Sequence, residues 1–269
     1  MSVSCRWRAR RAGTGQGPRG WCWVWLCVWA LWGLWAPPPA WAQVTPAVAA
    51  DAPAQAWLAS HPVLKVGLTR DFPPFYVRDP ESDRAHGFVL ELLDSWTQRL
   101  GVRSSLRHYD TQHELLAALQ RGEIDLTPFT ALEGAADRGL VAGPAVLSVP
   151  LVLVARRDVP DISPTGNFGG RRVAIELGTT MEQTLSRRFP AAQLVRHATA
   201  LEALQAVASG QADIFIGYQH AAVYHIEHAL LANLELRTSL GPVPMGPVMA
   251  AGRGPLPALL AAAAAAAGP

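Results

Sequence analysis

Four stretches bring together residues able to hold a small solute, and each follows a short β-rich run. Leu64-Lys65-Val66-Gly67-Leu68 leads into Arg70-Asp71-Phe72-Pro73-Pro74-Phe75-Tyr76, a proline-stiffened aromatic turn. There Phe72 can wall a ring or apolar face, with Asp71 beside it, while Phe75 fits better as a plug of the fold. Ile124-Asp125-Leu126 precedes the hydroxyls of Thr127 and Thr130. Residues 172–177 lead into Gly178-Thr179-Thr180, where free backbone N–H groups and two hydroxyls meet at an expected helix start. Such an end attracts carboxylate or phosphate through its orphan donors and its dipole. Capping needs only Thr179, so Thr180 is the more discriminating member of that set. Finally Tyr218 follows Ile216-Gly217 and brings a hydroxyl-bearing ring.

Other groupings carry less. His220, His225 and His228 share one expected helix, and the 225/228 spacing suits a metal. Without a Glu-x-x-His pattern or a fourth ligand they read as a polar helix face. Glu176 and Glu182 fall near the proposed site, but nothing pairs either with a second acid. Gly-rich phosphate loops and a Gly-x-Ser-x-Gly elbow are absent, so neither cofactor nor metal is expected.

The bulk composition misleads until the first 42 residues are set aside. They hold five of the 23 basic residues, none of the 21 acidic ones, all three cysteines and eight of the ten tryptophans. The remainder is mildly acidic, 18 against 21, and cysteine-free. That excludes disulfides, thiolate chemistry and Cys-based zinc sites there, and gives no support to a nucleic-acid surface. Arginines at 6–19, an apolar run at 21–35 and Ala40-Trp41-Ala42 form a charged, apolar, small-residue order. Fifteen helical residues would span about 22 Å, short of a bilayer core. Residues 1–42 are therefore expected to be a cleaved secretory signal and the protein periplasmic. Residues 43–62, rich in Ala and Pro, read as a linker.

The site stretches need elements to position them. From residue 63 onward short β-rich runs alternate with helical ones, the signature of an α/β fold. Phe88, Leu92, Leu93, Trp96 and Leu100 make one helical stripe, closed by Gly101. An internal echo is more telling. Thr111-x-x-Glu114 opens a helix ending at Gly122, with Asp125 three residues on; Thr199-x-x-Glu202 opens another ending at Gly210, with Asp213 three on. Each Thr-x-x-Glu is a capping box and each Gly a left-handed stop, so one αβ unit occurs twice and two similar lobes are expected. Thr179-x-x-Glu182 predicts a third capped helix. Two extended crossings, 149–155 and the three-proline return 239–251, suit a two-strand hinge. The expected division is 63–148 plus 245–269 for the first lobe and 155–240 for the second. In open α/β sheets ligands bind beyond the carboxyl ends of the strands, which is where the four stretches fall.

From residue 64 to about 260 the chain resembles the bacterial solute-binding protein family 3, two-lobed Venus flytraps of amino-acid importers and of sensor-kinase periplasmic domains. The resemblance rests on Val66-Gly67 with Asp71-Phe72-Pro73-Pro74-Phe75, Gly87-Phe88 with Glu91-Leu92, and Leu119 with Gly122 and Ile124-Asp125. It continues in Gly170 with Val173-Ala174 and Gly178-Thr179-Thr180, and in Ala203-Leu204 with Gly210 and Asp213. The stretch 210–217 with Tyr224 is most similar to the sensor-kinase versions.

The resemblance implies a type II periplasmic-binding-protein fold, with each lobe a small α/β sandwich. It implies a monomer that is not an enzyme and closes on a small polar or anionic ligand. The partner would be an ABC-transporter permease, for amino-acid transport, or a membrane sensor kinase. Departures from the family's pattern bear on the ligand. Ala135 stands where the family's carboxylate-gripping Arg is expected, with Arg138 one helical turn further along as the candidate substitute. Tyr218 stands where an ammonium-binding Asp is expected. Losing the carboxylate partner of a buried ammonium costs several kcal/mol, so a standard α-amino acid is not expected to bind tightly. Two rivals stay open: a flytrap without a ligand that acts through protein contacts, and a dehydratase-like enzyme using Glu176. The end of the chain, Leu259-Leu260 and seven alanines, departs from the family and is expected to pack weakly, as a truncated or divergent terminus.

Overall fold

The computed structural model describes residues 51–70, 72–78, 84–160, 162 and 168–266; the expected signal segment and Asp71 lie outside them. The segment expected to be a linker contains a helix, α1 (Ala52–Ser60), with proline in its first turn and Asp51 as its N-cap, accepting the Ala54 N–H at 3.0 Å. Ala54 is buried and Trp57 packs beside it, against Leu93, Trp96, Leu256 and Leu260.

Strand β1 (Val63–Thr69) turns Leu64, Val66 and Leu68 inward, and β2 (Val77–Arg78) pairs with β3 (Ala85–His86) as a small ribbon beside it. Helix α2 (Phe88–Leu100) buries Leu93, Trp96 and Leu100 and ends at Gly101 in the left-handed region, as its stripe predicts. It returns the chain to β4 (Arg103–Tyr109), parallel to β1 in the register Val63↔Arg103 to Thr69↔Tyr109. Helix α3 (Gln112–Gln120) leads to β5 (Leu126–Ala131), on the other side of β1. This strand is longer than the sequence suggests, so Thr127 and Thr130 stand within it and not in a loop. A 3-10 turn, Ala136–Arg138, and the short β6 (Val141–Ala142) follow.

The second half is built the same way. β7 (Leu147–Arg156) crosses over, and β8 (Arg172–Glu176), α4 (Glu182–Arg188), β9 (Gln193–His197), α5 (Ala200–Ala208), β10 (Ile214–Tyr218) and α6 (Gln219–His228) form the second lobe. β11 (Leu234–Met249) crosses back, pairing with β7 along Leu234–Met245 and with β5 at its far end. The strand order is β4-β1-β5-β11-β7-β10-β8-β9, so the crossing pair joins the two lobes' sheets edge to edge through a two-strand hinge. The fold is an α/β two-lobed flytrap of the periplasmic-binding-protein type.

The echo extends to the hydrogen bonds that anchor each helix exit. Asp125 accepts the Lys65 N–H at 2.7 Å and Asp213 accepts the Arg172 N–H at 2.9 Å, each tying a helix exit to the first strand of its own lobe. An arginine flanks each aspartate, Arg253 at 3.3 Å and Arg172 at 2.9 Å. Gly122 and Gly210 hold φ of 71° and 80°, a region a Cβ disfavours, which explains glycine in both copies. In both copies the Thr caps the Glu N–H and the Glu carboxylate accepts from the residue before the cap, Asp110 or Ala198; only Glu114 also takes its own cap's N–H, closing a full capping box.

The third expected box does not form. α4 begins only at Glu182, and no side chain caps it. At the other end α7 (Leu256–Ala265) packs better than its alanines suggest. Leu256, Leu259, Leu260 and Ala263 are buried beside Ala54, Trp96 and Leu100 in the first lobe. Among the described residues no helix is long and apolar enough to cross a membrane.

Candidate functional site

The carboxyl-terminal ends of four strands converge on one cavity of about 320 Å³: Thr69 of β1, Thr130 next to the end of β5, Glu176 of β8 and Tyr218 of β10. Two belong to each lobe, which is the placement that strand-end binding requires. Phe72 supplies an apolar wall, and Thr179 closes the second-lobe side. Thr130 is buried and accepts the Gln112 side-chain amide at 3.1 Å, so its hydroxyl proton is left to donate.

Four of the residues singled out in the sequence, Phe72, Thr130, Thr179 and Tyr218, line this cavity. Gly178, Thr180 and Arg138 do not; Thr180 and Arg138 fasten the lobes together. The Thr180 hydroxyl, buried, donates to the Ala131 carbonyl across the interface at 2.9 Å. Gly134 abuts the Thr180 carbonyl so closely that a Cβ would lie 1.7 Å from its oxygen. Arg138 donates to the Thr179 carbonyl at 3.0 Å and stands 3.6 Å from Glu182. Nearby, Arg187 meets Asp137 at 2.6 Å, again between lobes.

The expected anion site is therefore filled from within. The Gly178 N–H donates to the Glu182 carboxylate at 3.0 Å, and Arg196 binds the other carboxylate oxygen at 2.6 Å. Burial pushes the Glu182 carboxyl up, yet these bonds and the charges of Arg196 and Arg138 hold it below the usual range. The physical reason is local: a glutamate four residues on reaches the same amide that an external carboxylate would need.

What the cavity does hold is an acid. No side chain or backbone group among the described residues donates a hydrogen bond to the Glu176 carboxylate, and burial pushes it up to about 7. The Tyr218 hydroxyl is raised above its ordinary range by burial first, then by the charges of Glu176 and Glu133. The cavity's arginine, Arg70, is already bound to Asp110.

His220, expected on a polar helix face, instead packs among aromatic rings. Its ring lies 4.9 Å from Phe72 and 4.8 Å from Phe75 in edge contacts and stacks on Tyr218 at 5.7 Å. Both ring nitrogens are buried without a hydrogen-bond partner, and burial, aided by the charge of His225, lowers its pKa to about 4. A neutral histidine thus bridges the first-lobe aromatic turn and α6. His228 bonds the Tyr224 carbonyl at 2.8 Å, and among the described residues no acidic, His or Cys group could hold a metal.

Comparison with known proteins gives the class. Residues 64–162 match the profile of bacterial extracellular solute-binding proteins, family 3. With the two-lobed fold, this makes the chain similar to the Venus-flytrap domains of that family. It is 32% identical over 202 residues to the virulence sensor protein BvgS of Bordetella pertussis, covering 74% of this chain but 16% of that protein. The chain thus spans about a sixth of the length of that sensor. The crystal structure of the BvgS periplasmic VFT2 domain superposes with a TM-score of 0.68 at 28% identity, covering 80% of this chain and 92% of that domain. A membrane-bound lytic murein transglycosylase F of Aeromonas hydrophila is 29% identical over 156 residues, 56% of this chain and 31% of that enzyme.

Proposed function

We propose that this chain is a periplasmic ligand-sensing flytrap that closes its two lobes on a small polar solute and passes the closed state to a membrane sensor-kinase module. The observation that carries this reading is the cavity of about 320 Å³ walled by strand ends of both lobes, a size suited to a small molecule. A ligand there touches both lobes, so it binds the closed form better than the open one and shifts the population toward it. The fastening by Thr180, Arg138 and Arg187 favours the same closed form from outside the cavity. Sensing is preferred over import because, of the relatives above, the one matched over the most of this chain, BvgS, is named a sensor protein. The role is binding and not catalysis: the cavity presents one unpaired acid, Glu176, with no second acid bonded to it to share proton transfer.

The test is a thermal-shift screen of amino acids, dicarboxylates, polyamines and aromatic acids on the wild-type protein and on Phe72→Ala and Thr130→Val. A solute that stabilises the wild type and loses most of that effect in both variants supports the reading. Stabilisation that survives both substitutions, or none across the panel, contradicts it.

A further inference from the structure

We propose that Glu176 is the ligand anchor of the cavity and that it selects a solute bearing a cationic nitrogen, an ammonium or an amidinium. This deepens the binding reading above and rests on it. Glu176 ends β8 and lines both the main cavity and a small recess behind it, bounded by Ile175, Met181, Leu185, Phe215 and Ile216. An acid with apolar residues behind it and no hydrogen bond from the described residues is costly unless something entering the cavity supplies the missing donor.

The charged groups and the amide best placed to receive an anion are bonded already. Arg70 is engaged by Asp110, the Gly178 amide by Glu182, Arg138 by the Thr179 carbonyl, and the Thr180 hydroxyl by Ala131. An anion entering here would find few donors and an uncompensated carboxylate. A cation would find that carboxylate, the oxygen of Tyr218 beside it, and the face or edge of Phe72 for its apolar part. The site also differs from a simple acidic patch, because only one carboxylate lies deep while Asp110 is exposed and paired.

Charged and titratable groups around Glu176 come from every neighbouring element. They are Tyr218 on β10, His197 beside it in the β9 ladder, His225 on α6, Arg70 after β1, Asp110 after β4 and Glu133 after β5. Of these, Arg70 and Asp110 pair with each other, the charges of Glu176 and Glu133 both bear on Tyr218, and the tyrosine stays neutral throughout the working range. A cation that remains charged needs ionised Glu176. With the carboxyl near 7, its apparent affinity should therefore rise about tenfold from pH 6 to pH 8.

The experiment uses the full chain with agmatine, putrescine and benzylammonium as cations, succinate and benzoate as anions, and glutaramide and benzyl alcohol as neutral counterparts. Binding is read by thermal shift and calorimetry at pH 6 and pH 8, in wild type, Glu176→Gln and Phe72→Ala. The expected result is that at least one cation binds, about tenfold tighter at pH 8, and that Glu176→Gln loses both the binding and its pH dependence while keeping its circular-dichroism spectrum. An anion or neutral compound that binds while no cation does, with Phe72→Ala abolishing it, overturns the cation anchor and leaves the cavity as the binding site. Cation binding that persists in Glu176→Gln also overturns it. No binding by any compound refutes the anchor and the binding reading together.

Discussion

Glu176→Gln should make the protein more stable, and by an amount that depends on pH in a specified direction. In the folded chain burial holds this carboxyl at about 7, against an ordinary value of 4.5. At about 1.4 kcal/mol per pH unit, the folded state disfavours the ionised form by roughly 3 kcal/mol. Water entering the cavity lowers this, so we expect a measured gain of about 1–3 kcal/mol. The sign follows from proton binding. Below pH 4.5 both states are protonated and the substitution is nearly neutral. Between pH 4.5 and 7 the unfolded chain releases its proton first, so wild-type stability falls as pH rises, and above about 8 the loss is complete. Glutamine keeps the shape and cannot ionise. The assay is urea unfolding of both proteins from pH 4.5 to 8.5, where every other titrating group contributes equally and cancels in the difference. That difference should grow from near zero to its full value across the window. A difference that is flat with pH, or a variant less stable than wild type at pH 8, would show that the carboxylate is solvated or partnered and would refute the reasoning.

His220 acts in the opposite direction. Its folded pKa of about 4 lies below the ordinary 6.5, so wild-type stability should fall as pH drops from 6.5 toward 4, and His220→Phe, which keeps the ring contacts, should remove that fall in thermal melts. Thr180→Val breaks the buried bond to Ala131 and should cost about 1 kcal/mol in chemical unfolding, about 3 °C in melting temperature. In the same variant, small-angle scattering should show a more open population. Leu260→Ala, in the tail helix, should cost about 2–4 kcal/mol by leaving a cavity against Trp96 and Leu100, and an effect below 0.5 kcal/mol would mean the tail is not docked.

What the sequence disclosed was whatever local chemistry determines. Capping at Thr111 and Thr199, left-handed stops at Gly122 and Gly210, and the stripe around Trp96 are set within a few residues, so the repeated unit could be read directly. The strand ends could be read too, and with them Phe72, Thr130, Thr179 and Tyr218 as neighbours of one cavity. The interlobe fastening could not. Thr180 meets Ala131 and Arg138 meets the Thr179 carbonyl only because two folded lobes adjoin, and no spacing within either lobe records that contact. Helix α1 was missed because its partners in α7 lie two hundred residues away in the chain, and its own residues show no apolar period. Glu176 is visible in the sequence as an acid near the cleft; that no described residue donates to its carboxylate is set by the folded cavity and not by any local spacing.

The most direct test of closure on a solute is the distance between the lobes. With Cys5, Cys22 and Cys27 replaced by serine, spin labels at the exposed positions Ser105, in β4, and Gln205, in α5, report one distance across the cleft. A solute that stabilises the wild type should narrow that distribution toward its short component and should fail to do so in Phe72→Ala. A bound solute that leaves the distribution unchanged would contradict the account.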